Sequence, residues 1–231
     1  MTTIERQRFI NHLVLLYRPG DADAACRLLQ LLGCEIQNMG AHRQTTQEWF
    51  TVKIDATSTM TENVAYLLPA APDQLALDDA IARTLGTRSA SDGGSAGSPA
   101  SEYRAYSELV ANDPERTFHF GIRFSSFDAL EACALAAARA GQEEPGIEGR
   151  ASICMQFRPL AGTDAAMDAR VDASPLFTPE TRPSLGKRGV QVYVRTDLFA
   201  PGSLAMDHVI ELQFEFPTDD ERLTGNRDSF G

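Results

Sequence analysis

The feature that most constrains the fold is an internal repeat. Residues 10–33 and 117–140 read "INHLVLLYRPGDADAACRLLQLLG" and "TFHFGIRFSSFDALEACALAAARA", and they align without a gap. Similarity at a fixed offset is the signature of a duplicated structural unit. The chain is therefore expected to contain two copies of one unit. Six of the 24 aligned positions are identical: His12/His119, Asp21/Asp128, Ala22/Ala129, Ala25/Ala132, Cys26/Cys133 and Leu28/Leu135.

Each copy begins with a β-rich run, "INHLVLLY" or "FHFGIRF", that leads through a short turn into a helix. The turns "RPGD" and "SSFD" supply Pro, Gly, Ser and Asp, which favour turns and helix N-caps. Apolar residues then recur at spacings of three and four, so the pattern predicts amphipathic helices over about 22–33 and 127–140.

Three further strand candidates follow each helix. They are "CEIQNM", "EWFTVKID" and "NVAYLLPA" in the first copy, and "ASICMQFRPL", "RGVQVYVRTDLF" and "DHVIELQFEF" in the second. Each copy therefore has the predicted order βαβββ. The fold class is predicted to be α+β, with two tandem modules of this kind.

Composition along the chain predicts the domain organisation. The segment "SASDGGSAGSPAS" is rich in Gly, Ser and Ala, as flexible linkers are. A long stretch without periodicity interrupts the second copy, and such loops are commonly functional, so we expect it to cover or flank a cleft. The predicted parts are a first module with a following helix at 8–88, a linker at 89–101, a second module at 102–217 with an insertion at 161–187, and a disordered tail at 218–231.

Charge and hydropathy limit the kinds of partner that the protein is expected to bind. The net charge of −11 comes from acids scattered along the chain, which argues against a nucleic-acid or anionic-membrane surface. No apolar run approaches the roughly 18 residues of a membrane span, and "MTTIERQRF" lacks the apolar core of a signal peptide. A cytoplasmic protein is expected. The four cysteines show no CxxC or zinc-ribbon spacing, so we expect free thiols.

Two repeat-equivalent histidines and the closing strand "DHVIELQFEF" resemble the vicinal oxygen chelate superfamily, which includes glyoxalase I, bleomycin resistance proteins and type I extradiol dioxygenases. Modules of this family often end in "GHxIEL", where this chain has Asp207 in place of the glycine. The resemblance implies that the two modules form a shared, open, barrel-like sheet around a metal cleft. Ligands in that fold come from the first and last strand of each module.

The matching ligand positions are His12, His119 and Glu211. Aligning "NVAYLL" with "HVIELQ" puts Tyr66 opposite Glu211, so the fourth ligand of the glyoxalase pattern is replaced. Two imidazoles and one carboxylate with open positions suit Fe(II) enzymes that bind a substrate and O₂ together, while Zn, Mn, Ni and Co are further possibilities. Tyr66 and Tyr193 are the candidate catalytic residues. We expect His12 and His119 to lie within metal-sharing distance.

Other interpretations stay open. Each histidine can be a hydrogen-bonded residue of the core, and His42 and His208 can act beside a metal or be structural. The function classes are an Fe(II) dioxygenase acting on an aromatic or vicinal-oxygen small molecule, a glyoxalase- or epimerase-type lyase or isomerase, and a metal-free binding protein. Such modules pair within a chain or across a homodimer. Aromatic candidates for a substrate pocket are Trp49, Phe50, Phe157 and Phe177.

Overall fold

The computed structural model describes residues 12–41, 47–54, 64–85, 101–114, 118–184, 186–200 and 207–218. Within these ranges the chain is α+β, as predicted, and has two four-stranded sheets and five helices. None of the described helices is both long and apolar enough to cross a bilayer. The predicted linker, except Ser101, and the predicted tail after Thr218 lie outside the described residues.

The first sheet has the strand order β1-β4-β3-β2. Its first strand runs parallel to β4, and the other neighbours are antiparallel. A parallel pair of strands needs a long crossover connection. Here the chain from β1 to β4 provides it, and α1 is the first element of that connection. The elements of this half are β1 (His12–Tyr17), α1 (Ala22–Leu31), β2 (Glu35–Ala41), β3 (Glu48–Lys53), β4 (Val64–Pro69) and α2 (Pro72–Leu85).

The second sheet has the corresponding order β5-β8-β7-β6, again with its first and last strands parallel. Two of its helices were not predicted: α3, which precedes the first strand, and α5, which lies in the insertion. The elements are α3 (Ser101–Asn112), β5 (His119–Arg123), α4 (Phe127–Glu143), β6 (Ala151–Phe157), α5 (Ala165–Asp172), β7 (Gly189–Thr196) and β8 (His208–Glu215).

The strand register is the same in the two sheets. His12 pairs with Val64 in the first sheet, and His119 pairs with Val209 in the second. Two residues further along, Val14 pairs with Tyr66 and Gly121 pairs with Glu211. Tyr66 therefore occupies the position in the first sheet that Glu211 occupies in the second, in agreement with the sequence alignment.

Side-chain alternation gives the second sheet two different faces. Ile210, Leu212 and Phe214 are buried on the side where α4 packs. Glu211 and Gln213 project to the opposite side because successive side chains of a strand alternate. We call this opposite side the open face, and it carries the candidate site.

The two halves share one core. Helix α1 packs against α4, and buried residues of both sheets belong to one apolar cluster. Arg150 donates two hydrogen bonds to the carboxylate of Asp21, at 2.6 and 2.8 Å. The backbone N–H of Ala200 donates to the carbonyl of Leu16 at 2.7 Å. The halves are thus joined by apolar, ionic and backbone contacts.

The insertion packs on the α4 side of the second sheet. Met167 and Val171 of α5 are buried, and the ring of Phe177 lies 6.2 Å from that of Phe127 at the start of α4. Arg170 makes salt bridges to Asp128 and Glu131 of the same helix. The residues of this packed part cover the first turns of α4 rather than the open face, so this part does not cover the cleft. The expectation that the insertion flanks the cleft mouth stays a prediction.

Candidate functional site

The centre of the candidate site is a contact between the first and last strands of the second sheet. Nε2 of His119 lies 3.3 Å from Oε2 of Glu211, and these side chains are 22% and 12% exposed. Gly121 lies directly opposite Glu211, and a Cβ at Gly121 would stand 3.5 Å from Oε2. An alanine at position 121 would thus make an ordinary van der Waals contact with this carboxylate oxygen, whereas a longer side chain would compete with it for space.

The other carboxylate oxygen is held by β7. Nε2 of Gln191 donates to Oε1 of Glu211 at 2.8 Å and to the hydroxyl of Tyr193 at 3.1 Å. Tyr193 is fully buried, and its ring stands edge-on to His119 at 5.8 Å and to Phe157 at 5.9 Å. The predicted proximity of Tyr193 to the site agrees with this arrangement, but its burial suits a positioning role.

His12 and Tyr66 are neighbours on the first sheet. Their ring centroids are 5.3 Å apart, and the ring of Trp49 lies 6.0 Å from that of Tyr66. His12 is exposed, at the edge of its sheet. Three aromatic rings from three adjacent strands thus stand where the second sheet has His119, Glu211 and their supporting residues.

The donor set fits a metal ion in part. Two ligand atoms bound at right angles, each about 2.1 Å from an ion, are about 3.0 Å apart. The 3.3 Å between His119 and Glu211 is close to that separation. Within the described residues, no group of three His, Cys, Asp or Glu side chains is arranged to hold an ion. The structure therefore brings together two of the predicted ligands, while His12 as the third stays a prediction.

The remaining residues that the sequence singled out lie on different faces of the two sheets. His208 is half-buried with its ring 6.0 Å from Phe199, on the side away from Glu211. Phe50 and Phe177 belong to the core, whereas Trp49 and Phe157 lie beside Tyr66 and Tyr193. His42 lies outside the described residues.

The cysteines are free, as predicted. Burial raises the pKa of the Cys26 and Cys34 thiols to about 12. A thiol with so high a pKa is protonated near neutral pH and is a poor nucleophile. Cysteine chemistry is thus unsupported at Cys26 and Cys34.

Sequence reasoning missed Gln191 and Arg195. Both share the face of Tyr193, since alternate residues of "GVQVYVRT" point the same way. Alternation of polar and apolar residues in this strand was the available signal. What the sequence did not specify is that the Gln191 amide reaches Glu211.

Comparison with known proteins adds no identification. No protein-family model, curated protein or solved structure matches this chain.

Proposed function

We propose that the protein is a metal-dependent enzyme that resembles the vicinal oxygen chelate superfamily, and that it acts as an Fe(II) dioxygenase on an aromatic or vicinal-oxygen small molecule. The supporting observation is the 3.3 Å contact of His119 with Glu211, which joins the first and last strands of the second sheet. The repeated strand order of the two sheets supports a tandem arrangement around a shared cleft.

In this proposal His119 and Glu211 hold the ion, and His12 of the first sheet completes the set. When bound, the ion supplies a positive centre for two neighbouring substrate oxygens and open positions for O₂. Gln191 fixes one oxygen of Glu211 and so leaves the other directed toward His119. Tyr66 lies next to His12 and orients the substrate through its hydroxyl.

One observation favours a second candidate, the glyoxalase- or epimerase-type lyase or isomerase. His119 and Glu211 stand close to hydrogen-bonding distance, which is the arrangement for moving a proton to or from a substrate. In this alternative Glu211 accepts the proton and His119 orients the carboxylate. A divalent metal such as Zn, Ni, Co or Mn would then polarise the substrate oxygens.

Oxygen uptake separates these candidates. Protein purified without oxygen and loaded with Fe(II) should consume O₂ with a catechol, and Glu211→Gln should abolish that uptake. Glu215→Gln is the matched control, because Glu215 lies on the same strand and face but contacts Arg123. Metal-dependent isomerisation of a hemithioacetal without O₂ uptake would support the lyase instead. Purified protein that binds no divalent ion would contradict both.

A further inference from the structure

We propose that Arg195 binds the anionic group, a carboxylate or a phosphate, of the small molecule that occupies the open face. The part that places the other end of this molecule at His119 and Glu211 rests on the proposed function. Anion binding by Arg195 itself rests on separate observations of its position, its neighbours and the cavity beside it.

The position of Arg195 follows from strand register. Arg195 pairs with Val209, and Val209 pairs with His119, so these residues form one row across three strands. Two strand spacings separate the backbones of Arg195 and His119 by about 10 Å. Tyr193, two residues earlier on β7, pairs with Glu211. Arg195 and the His119–Glu211 pair therefore lie at opposite ends of a span that fits a small organic molecule.

The neighbours of Arg195 differ from those of four other arginines in this half. Carboxylates lie within 2.9 Å of four guanidinium groups: those of Arg150, Arg158, Arg170 and Arg188. Arg195 instead interacts with the thiol of Cys154, and none of the salt bridges among the described residues includes it. A half-buried guanidinium is most stable with an oxyanion that its planar fork can bind through two hydrogen bonds.

A cavity of about 120 Å³ lies beside this guanidinium. Its lining includes Arg150, Ser152, Asp197 and Asp207. The volume far exceeds the about 10–15 Å³ that one water needs, so a carboxylate or phosphate group has room. Arg150 is already engaged by Asp21 and Asp197. Two negative charges line the cavity: Asp197, which is paired with Arg150, and the exposed Asp207, which would oppose a bound anion.

Anion binding to metal-free protein tests the proposal. Benzoate and inorganic phosphate are titrated by calorimetry into protein held in a chelator. Arg195→Gln should weaken binding about tenfold or more, and Arg195→Lys, which keeps the charge but loses the fork, should retain part of the affinity. Arg123→Gln is the control, since Arg123 is exposed and contacts Glu215. Asp207→Asn should strengthen binding by removing the opposing charge.

Comparing the affinities for different ligands identifies the anion. Tighter binding of benzoate than of phosphate assigns a carboxylate, and the reverse assigns a phosphate. 3,4-Dihydroxybenzoate should also bind more tightly than catechol, and Arg195→Gln should remove that difference. If neither anion binds, or if Arg195→Gln and Arg123→Gln bind equally, the proposal is overturned.

A separate variant distinguishes this proposal from the proposed function. Glu211→Ala should bind benzoate and phosphate at least as tightly as the wild type does, because the titration contains no metal and the variant removes a negative charge from the open face. Anion binding that depends on Arg195 in a protein with no metal affinity would sustain this inference and refute the metal enzyme. If the protein binds the metal ion but its affinity for the anions does not depend on Arg195, this inference is refuted and the proposed function is sustained.

Discussion

At the scale of the residue, the Glu211 carboxylate is held from two strands. The amide of Gln191 lies 2.8 Å from Oε1, and the imidazole of His119 lies 3.3 Å from Oε2. The equivalent position in the first sheet carries Tyr66, whose neutral phenol is a poor ligand for a hard divalent ion. One repeat unit thus offers a carboxylate where the other offers a phenol.

This difference gives a prediction for Tyr66→Phe. The variant should keep its metal affinity, because the phenol contributes no charge, and should show a raised KM for the substrate, because a hydroxyl that orients it is lost. Metal titration and steady-state kinetics on the same preparation measure both effects. A loss of the ion as complete as that caused by Glu211→Ala would contradict the three-ligand set.

Cys34 gives a prediction about pH. Burial raises its pKa from the usual value of about 8.5 to about 12 in the folded protein. Because its pKa is higher in the folded than in the unfolded protein, the Cys34 thiol contributes to stability. This contribution is complete below about pH 8.5 and is lost as the pH rises toward 12. The free energy of unfolding should therefore fall by about 1.4 kcal/mol per pH unit from this thiol alone.

Cys34→Ala removes that dependence. Urea unfolding of the wild type and the variant at pH 8, 9 and 10 should show a difference that shifts in favour of the variant as the pH rises. The difference between the two proteins isolates Cys34, since other groups titrate in both. A difference that stays constant over this range would contradict the assigned burial effect.

At the scale of the element, alternation and three-to-four spacing predicted the eight strands and the helices α1, α2 and α4. The insertion was harder to predict because α5 is short and its Met167 and Val171 are buried by contact with distant residues. The N-terminus of α1, unlike that of α4, also depends on a contact that the local sequence did not specify. Ser126 caps α4 by accepting a hydrogen bond from the N–H of Ala129, whereas Asp21 makes no capping bond and is held by Arg150 from the other half.

Helix α4 gives a prediction at Gly141. A Cβ at this position would lie 1.9 Å from the carbonyl oxygen of Ala151 on β6. Gly141→Ala should therefore destabilise the fold by about 3 kcal/mol, because the clash outweighs the roughly 1 kcal/mol by which alanine favours a helix. Gly186→Ala is the control, since its nearest atom would lie 3.9 Å away. Equal unfolding midpoints for the two variants would refute the close approach.

At the scale of the whole molecule, the repeat predicted two similar sheets but not how they meet. The joining contacts bring together residues far apart in the chain, such as Asp21 with Arg150 and Leu16 with Ala200. No local pattern marks such pairs, because either residue alone resembles an ordinary surface or loop residue. The position of the candidate ligands relative to one another depends on these same contacts.

The ionic contacts between the halves give a prediction. Arg150→Ala should destabilise the protein by about 1–3 kcal/mol, because Asp21 and Asp197 lose charged hydrogen bonds in a partly buried setting. Arg27→Ala, which removes a more exposed pair with Glu144 between the same halves, should destabilise the protein less than Arg150→Ala does. Thermal unfolding compares the variants, and a larger loss for Arg27→Ala would contradict this ranking.

The most direct test of the central claim is a titration of Fe(II) into metal-free protein without oxygen. The account predicts that the wild type and Glu215→Ala bind one ion per chain with the same affinity. His12→Ala, His119→Ala and Glu211→Ala should each bind at least about a hundredfold more weakly, because each removes a ligand. Unchanged affinity in Glu211→Ala and His119→Ala, or no binding by the wild type, would contradict a metal centre formed by these residues.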